Sequence, residues 1–151
     1  MIVHGLAELR ALGDGTDLGH SAWLEITQER VNTFAEATDD HQWIHVDPAR
    51  AATGPFGGTI AHGYLTLSLV IPLFSSPLVL EGVGMAVNYG LNKVRFPAPV
   101  PVNAKIRLAG RLAEVEDVAG GGVQVTADFT VEVAGSTKPA CVAQAVYRYY
   151  A

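Results

Sequence analysis

Ile60-Ala61-His62-Gly63-Tyr64-Leu65-Thr66-Leu67-Ser68-Leu69-Val70-Ile71-Pro72-Leu73-Phe74 is a long and nearly unbroken apolar stretch. Its apolar residues show little of the one-sided stripe of a surface helix, which predicts a helix buried on most sides. Pro72 lacks the N–H that would bond the Ser68 carbonyl, so a kink or an early end is expected there. Segments able to cover such a helix follow it. Residues 83–96, 104–116, 122–133 and 140–150 are strand-like and bounded by Gly or Pro. Within the third, Val123, Val125, Ala127, Phe129, Val131 and Val133 alternate with Gln124, Thr126, Asp128, Thr130 and Glu132. That period of two gives a sheet one dry face and one wetter face. One long helix followed by antiparallel strands is an α+β layout, and a curved antiparallel sheet wrapped around the central helix would bury its whole surface.

Upstream, residues 1–20, with Gly13, Gly15 and Gly19, read as a loosely structured lead-in. Trp23 to Ile26 is a short strand. Thr27 supplies a hydroxyl N-cap for a helix over 28–38, with Val31, Phe34, Ala35 and Thr38 at helical spacing. Pro48 starts a brief helical turn through Ala52, and Gly54-Pro55-Phe56-Gly57-Gly58 is a loop by composition. No linker or internal repeat divides residues 1–151, which are expected to form one domain.

Composition narrows the function classes. An apolar fraction of 49% with 17% charged residues describes a packed globular chain, not a disordered one. The net charge of −5 and the absence of a basic run argue against nucleic acid or an anionic membrane as partner. Cys141 is the single cysteine, so no internal disulfide or cysteine metal pair exists, and it reads as a small buried hydrophobe. The N-terminus lacks the basic segment and apolar core of a signal peptide. His62, Thr66, Ser68, Pro72, Ser75, Ser76 and Pro77 interrupt the run from Ile60 to Leu80, which argues against a membrane span. A cytoplasmic protein is expected.

Chemistry concentrates in Asp39-Asp40-His41-Gln42-Trp43-Ile44-His45-Val46-Asp47-Pro48. A turn that brings Asp40 and His45 to one pocket would let a carboxylate and an imidazole hold a water and move its proton. Gly63 opens the central helix, where an unpaired N–H and the helix dipole suit developing negative charge, and where the lack of a side chain permits close approach. Together these groups suffice to add water to an activated double bond. Other readings stand beside this one. Asp40 could cap the loop, His62 could serve the Gly63 turn structurally, and Ser68 could bond the carbonyl four residues back. A metal set of Asp39, His41, His45 and Asp47 lacks the helical periodicity it would need, with Pro48 close behind, so no metal is expected.

The same residues resemble the MaoC-like (R)-specific enoyl-CoA hydratases, a branch of the hotdog superfamily. Asp40-x4-His45, then Val46-Asp47-Pro48, then Ala61-His62-Gly63 follow the family pattern. Asn88-Tyr89-Gly90-Leu91-Asn92-Lys93-Val94-Arg95-Phe96-Pro97-Ala98-Pro99-Val100 looks like the strand after the central helix in single-domain, NodN-like members. The likeness runs over residues 18 to 150. It implies a single hotdog domain that reversibly hydrates trans-2-enoyl thioesters to (R)-3-hydroxyacyl thioesters. Asp40 and His45 would be catalytic and Gly63 would form the oxyanion hole. Coenzyme A would belong to the substrate, with acyl carrier protein as an alternative carrier, and no separate cofactor is implied. Trp43, His62, Tyr64, Ser68, Asn92 and Arg95 are candidates for substrate binding, with Trp43 and Tyr64 expected in the pocket wall. Lys93, Arg95 and Arg107 are candidate basic groups for an anionic coenzyme. Some members carry a serine where Ile71 stands, so a drier pocket is expected here. The family also implies a homodimer, for which Tyr147, Tyr149 and Tyr150 offer contact area. A hotdog acyl-thioesterase and a non-catalytic acyl-thioester-binding protein are the alternatives.

Overall fold

In the computed structural model, which describes residues 1–151, secondary structure begins at the second residue. β1 (Ile2–His4), α1 (Gly5–Leu12) and β2 (Asp17–His20) occupy the segment expected to be a loose lead-in. Leu9 is fully buried and Leu6 joins it in the core, three residues apart on the inner side of α1, and Val3 of β1 is buried as well. Of the glycines that suggested looseness, Gly13 and Gly15 lie in the turn between α1 and β2, and Gly19 is part of β2 itself, paired with Gly110.

β3 (Leu24–Glu25) leads to α2 (Gln28–Thr38), where the Arg30 N–H donates to Thr27 Oγ1 at 3.2 Å as the cap requires. Asp39, at a φ of 58°, ends the helix in the left-handed region. Two single turns follow, α3 (Trp43–Val46) and α4 (Pro48–Ala51), the second capped by Asp47, which accepts from the Arg50 N–H at 3.0 Å.

The central helix is shorter than the apolar run and comes in two pieces, α5 (Gly63–Ser68) and α6 (Val70–Phe74). The break expected at Pro72 falls at Leu69, beside the Ser68 carbonyl that Pro72 leaves without a donor. Pro72 thus sits in the first turn of α6, where a missing N–H costs nothing. Nor is the helix buried all round. Leu65, Thr66, Leu69, Val70, Leu73 and Phe74 point inward, whereas Tyr64 is 71% and Ile71 43% exposed. Apolar residues on its outer side conceal in the sequence an amphipathic burial that the structure displays.

β4 (Val79–Glu81) pairs in parallel with β1. The main sheet contains β5 (Met85–Arg95), β6 (Lys105–Val118), β7 (Gly122–Val133) and β8 (Cys141–Tyr150). Its order is β2-β6-β7-β8-β5, with β3 also on β6, and every pairing is antiparallel. The odd residues of β7 are buried as their alternation predicts, and Phe74 of α6 packs against Phe129 and Tyr147 at ring separations of 5.0 and 5.6 Å. Burial pushes the Tyr147 phenol up to about 12. Tyr147 and Tyr149 therefore belong to the core, not to an interface: their odd register in β8 turns both inward. The outer face carries Arg107–Glu132 and Arg111–Asp128 ion pairs. One cluster of buried residues takes members from both helix pieces, α1 and the long strands β6, β7 and β8, with half-buried Val94 of β5 packed against it, giving a single domain.

Candidate active site

Helix α2 delivers Asp40 just past its left-handed cap, and the α3 turn delivers His45 from below it. The third group, His62, is the residue before α5. One carboxylate oxygen of Asp40 and one ring nitrogen from each of His45 and His62 lie within 4.8 Å of one another. Asp40 is exposed, His45 is buried and His62 is almost wholly so. The Asp40-x4-His45 spacing thus does bring both side chains together. Asp40 also accepts a long 3.4 Å bond from the Gln42 N–H, so the loop-capping role accompanies this placement.

Tautomers follow from the partners. His45 Nδ1 lies 2.7 Å from the Ile60 carbonyl oxygen. A carbonyl only accepts, so Nδ1 carries the proton and neutral His45 keeps a lone pair on Nε2. His62 Nε2 lies 3.0 Å from the Asp40 carbonyl oxygen and so carries its proton in turn. The Asp40 carboxylate is 4.0 Å from the same nitrogen. His62 Nδ1 is buried without a partner. The two imidazoles stack at 3.8 Å with planes 25° apart, and Phe34 packs against His62 from another side at 4.9 Å. Burial chiefly, and the neighbouring His62, lower the His45 pKa from its usual 6.5; the Ile60 bond and the Asp40 charge oppose this without cancelling it. His45 is accordingly neutral at pH 7 and able to accept a proton.

The cluster also bears on metal binding. A zinc ion lies in the plane of each imidazole that binds it, about 2.0 Å from nitrogen. Two nearly parallel rings have planes that meet too far away for both to reach one ion. The set Asp39, His41, His45 and Asp47 does not converge either, since Asp39 ends α2, Asp47 caps α4 and His41 pairs with Glu36 at 3.2 Å.

His45 and Gly63 share a cavity of about 350 Å³, walled by Thr66, Phe96, Pro97 and Val100 among others. Asp40 is not part of the wall. Gly63 is the first residue of α5, and its N–H has no hydrogen-bond partner. A Cβ at Gly63 would stand 3.2 Å from the Phe96 ring, so glycine keeps this end of the cavity open.

The other candidates scatter. Trp43 packs on Gly54 and under the Arg50 guanidinium, 4.4 Å from its ring centre, outside the cavity wall. Tyr64 is exposed and meets Phe96 edge-on from outside. Ser68 donates to the Tyr64 carbonyl at 2.7 Å, as its helical position suggested, and borders a second, apolar cavity of about 230 Å³ with Ile71, Leu91, Ala143 and Tyr147. Irregular pairing between Leu91 and Lys93 shifts the register of β5, and Asn92 bonds Gln144 instead of reaching the dyad. Arg95 immediately precedes Phe96 of the cavity wall, whereas Arg107 is engaged by Glu132 at 2.6 Å and lies over Trp23 on the outer face. Sequence reasoning missed Gln28, Thr59 and Phe96 altogether. Their roles depend on partners far away in sequence, which no local pattern announces.

The family described as MaoC like domain matches residues 13–134. Among curated proteins, the 3-hydroxyacyl-thioester dehydratase Z of Mycobacterium tuberculosis is 58% identical, over 97% of this chain and 96% of its own. Nodulation protein N of Rhizobium leguminosarum is 43% identical over 85% and 81% respectively. Among solved structures, an (R)-hydratase from A. caviae superposes with a TM-score of 0.70 at 24% identity, covering 91% of this chain and 96% of that one, which supports the shared fold.

Proposed function

The chain belongs to the MaoC-like dehydratase family, and from that premise we propose that it catalyses reversible hydration of trans-2-enoyl thioesters to (R)-3-hydroxyacyl thioesters. One observation carries the proposal. A neutral imidazole with a free Nε2 and an unpartnered helix-opening N–H share one cavity, and the Asp40 carboxylate lies beside that imidazole.

Water held between Asp40 and His45 Nε2 gives its oxygen to the β-carbon and its proton to the imidazole. The π electrons move to the α-carbon and the thioester oxygen, where the Gly63 N–H and the α5 dipole meet the enolate charge. Collapse of the enolate takes up at the α-carbon the proton that the water gave to the imidazole, which returns His45 to its neutral form, so one water is added without an oxidant, a reductant or a further cofactor. The acyl chain fits the apolar cavity beside Leu67, Ile71, Leu91 and Ala143, which follows the catalytic wall along the same helix. Ile71 would keep that channel dry, and Arg95, next to Phe96 of the wall, would be the basic group to meet coenzyme A phosphates. We place the reaction in the cytoplasm; no helix is long and apolar enough to cross a membrane.

The test uses crotonyl-, octenoyl- and dodecenoyl-CoA. Loss of enoyl absorbance without release of thiol is expected. Thiol release would make the protein a thioesterase, and binding without either signal would make it an acyl-thioester carrier.

A further inference from the structure

Gln28 stands in the first turn of α2, at the opposite end of that helix from Asp40, and its side chain reaches segments remote in sequence. Its Nε2 is 2.7 Å from the His45 carbonyl oxygen and 2.9 Å from Asn32 Oδ1. Thr59 Oγ1 is 2.5 Å from its Oε1. Because the His45 carbonyl can only accept, the amide NH₂ must face it and Oε1 must face Thr59. Both amide hydrogens are then used, one on His45 and one on Asn32, and the second bond holds the amide against flipping.

These bonds complete a ring around His45. Its Nδ1 donates to the Ile60 carbonyl at 2.7 Å, and the Ile60 N–H donates to the Ile44 carbonyl at 3.0 Å. Thr59 precedes Ile60, so Gln28 holds both sides of the His45–Ile60 contact, one through the His45 backbone carbonyl and the other through the Thr59 hydroxyl. The segment it grips continues through His62 to Gly63. One helix therefore presents Asp40 just beyond its C-terminal cap and, from its first turn, ties down the imidazole and the approach to the oxyanion donor. Nothing in the core needs this amide: Gln28 is half-buried and packs no apolar cluster.

We propose that Gln28 is a positioning residue that sets His45 against the water it shares with Asp40. The proposal rests on the hydration reading above, and Gln28 itself touches no reacting atom. Positioned catalytic groups lose rate steeply when displaced, even by a change outside the chemistry.

Gln28→Glu is nearly isosteric but turns a carboxylate oxygen toward the His45 carbonyl. It should lower kcat by about ten- to a hundredfold and move KM by no more than about twofold, since the interaction lost matters in the transition state. Gln28→Ala, which removes the bonds without adding repulsion, should lose less. In a His45→Gln background, Gln28→Glu should cost under about twofold more, because there is no longer an imidazole to place. The ring nitrogen resonances of His45, read by NMR without substrate, should move in Gln28→Glu. Thr59→Val removes the partner of Oε1 without adding charge, and should lower kcat severalfold even where the Glu variant folds poorly. Equal losses in both backgrounds, or unmoved His45 resonances, would overturn the proposal and reduce Gln28 to a structural tie. Absence of hydration by the wild-type protein would remove the functional reading instead, while the NMR comparison would still decide the clamp.

Discussion

At the scale of single residues, the site depends on a histidine kept neutral and a glycine kept bare. Asp40→Asn and His45→Gln should each lose at least about a hundredfold in turnover with the fold intact, as positioned acid–base groups do; near-normal turnover in either folded variant removes that residue from the mechanism. His45 makes the rate depend on pH in a definite direction. Its pKa is lowered, so the neutral form persists through pH 7 and activity should fall only on acidification below the usual histidine range. Stability shares that sign. The unfolded chain takes up the proton near 6.5 while the folded one resists it, so this group's contribution is intact above that range and is lost as pH falls through it. A titration in which activity begins to fall above pH 7 would contradict the assignment. Gly63→Ala tests the donor end, since a methyl group there meets the Phe96 ring at about 3.2 Å. Its loss should appear mainly in kcat, and trimming the neighbour in Phe96→Leu, Gly63→Ala should restore part of it. Dialysis against a chelator should leave activity unchanged, as the stacked histidines present no convergent lone pairs; activity that disappears with a stoichiometric metal and returns on its addition would refute this.

Individual elements show where a single sequence speaks clearly and where it does not. Helix α2 and the long strands are legible because their signals are local: a hydroxyl cap, a run at period 3.6, an alternation at period two, and Gly or Pro at the ends. The segment before Gly19 is not, because one helix with a spacing of three and several glycines resembles a loop until its partners are known. Its burial under β6 and β7 makes a concrete difference. Leu9→Ala should destabilise the protein by about 2–5 kcal/mol in urea unfolding, as deletion of a fully buried leucine does elsewhere. A loose lead-in would show almost no change. The central helix failed differently. Apolar residues on its outward side pass for burial within one chain, yet Tyr64 and Ile71 lie exposed. That Asp40 and His45 come together was legible from their spacing and the turn residues around them. The stack of His45 on His62 and the clamp at Gln28 were not, because they join positions 17 to 31 residues apart.

For the whole molecule, the outward side of the helix and the edge of the sheet pose one question: what covers them. β5 is the last strand of its sheet, and its outer backbone groups face no strand. Met85 is 51% exposed, Tyr89 57% and Leu91 48%, and the apolar cavity beside Leu91 continues to Ile71 on the open helix face. From Met85 to Asn92 this edge carries no charge, Lys93 and Arg95 coming only at its end, and such an edge invites pairing with another chain. A second copy offering the same edge is the simplest cover, because a two-fold axis lets one patch meet itself. The dimer expected from the family is therefore retained as a proposal, with its contact moved from the buried tyrosines of β8 to β5 and the α5–α6 face. Light scattering at micromolar concentration should give twice the chain mass. Leu91→Lys, which places a charge at the centre of the edge, should shift the protein toward monomer and lower activity in parallel, because the acyl cavity would lose its outer wall. Dilution series separate the two effects: a cavity defect persists at all concentrations, whereas an assembly defect recovers as protein is concentrated. A wild-type monomer with full activity would show that the open face needs no partner and that the acyl chain itself covers it.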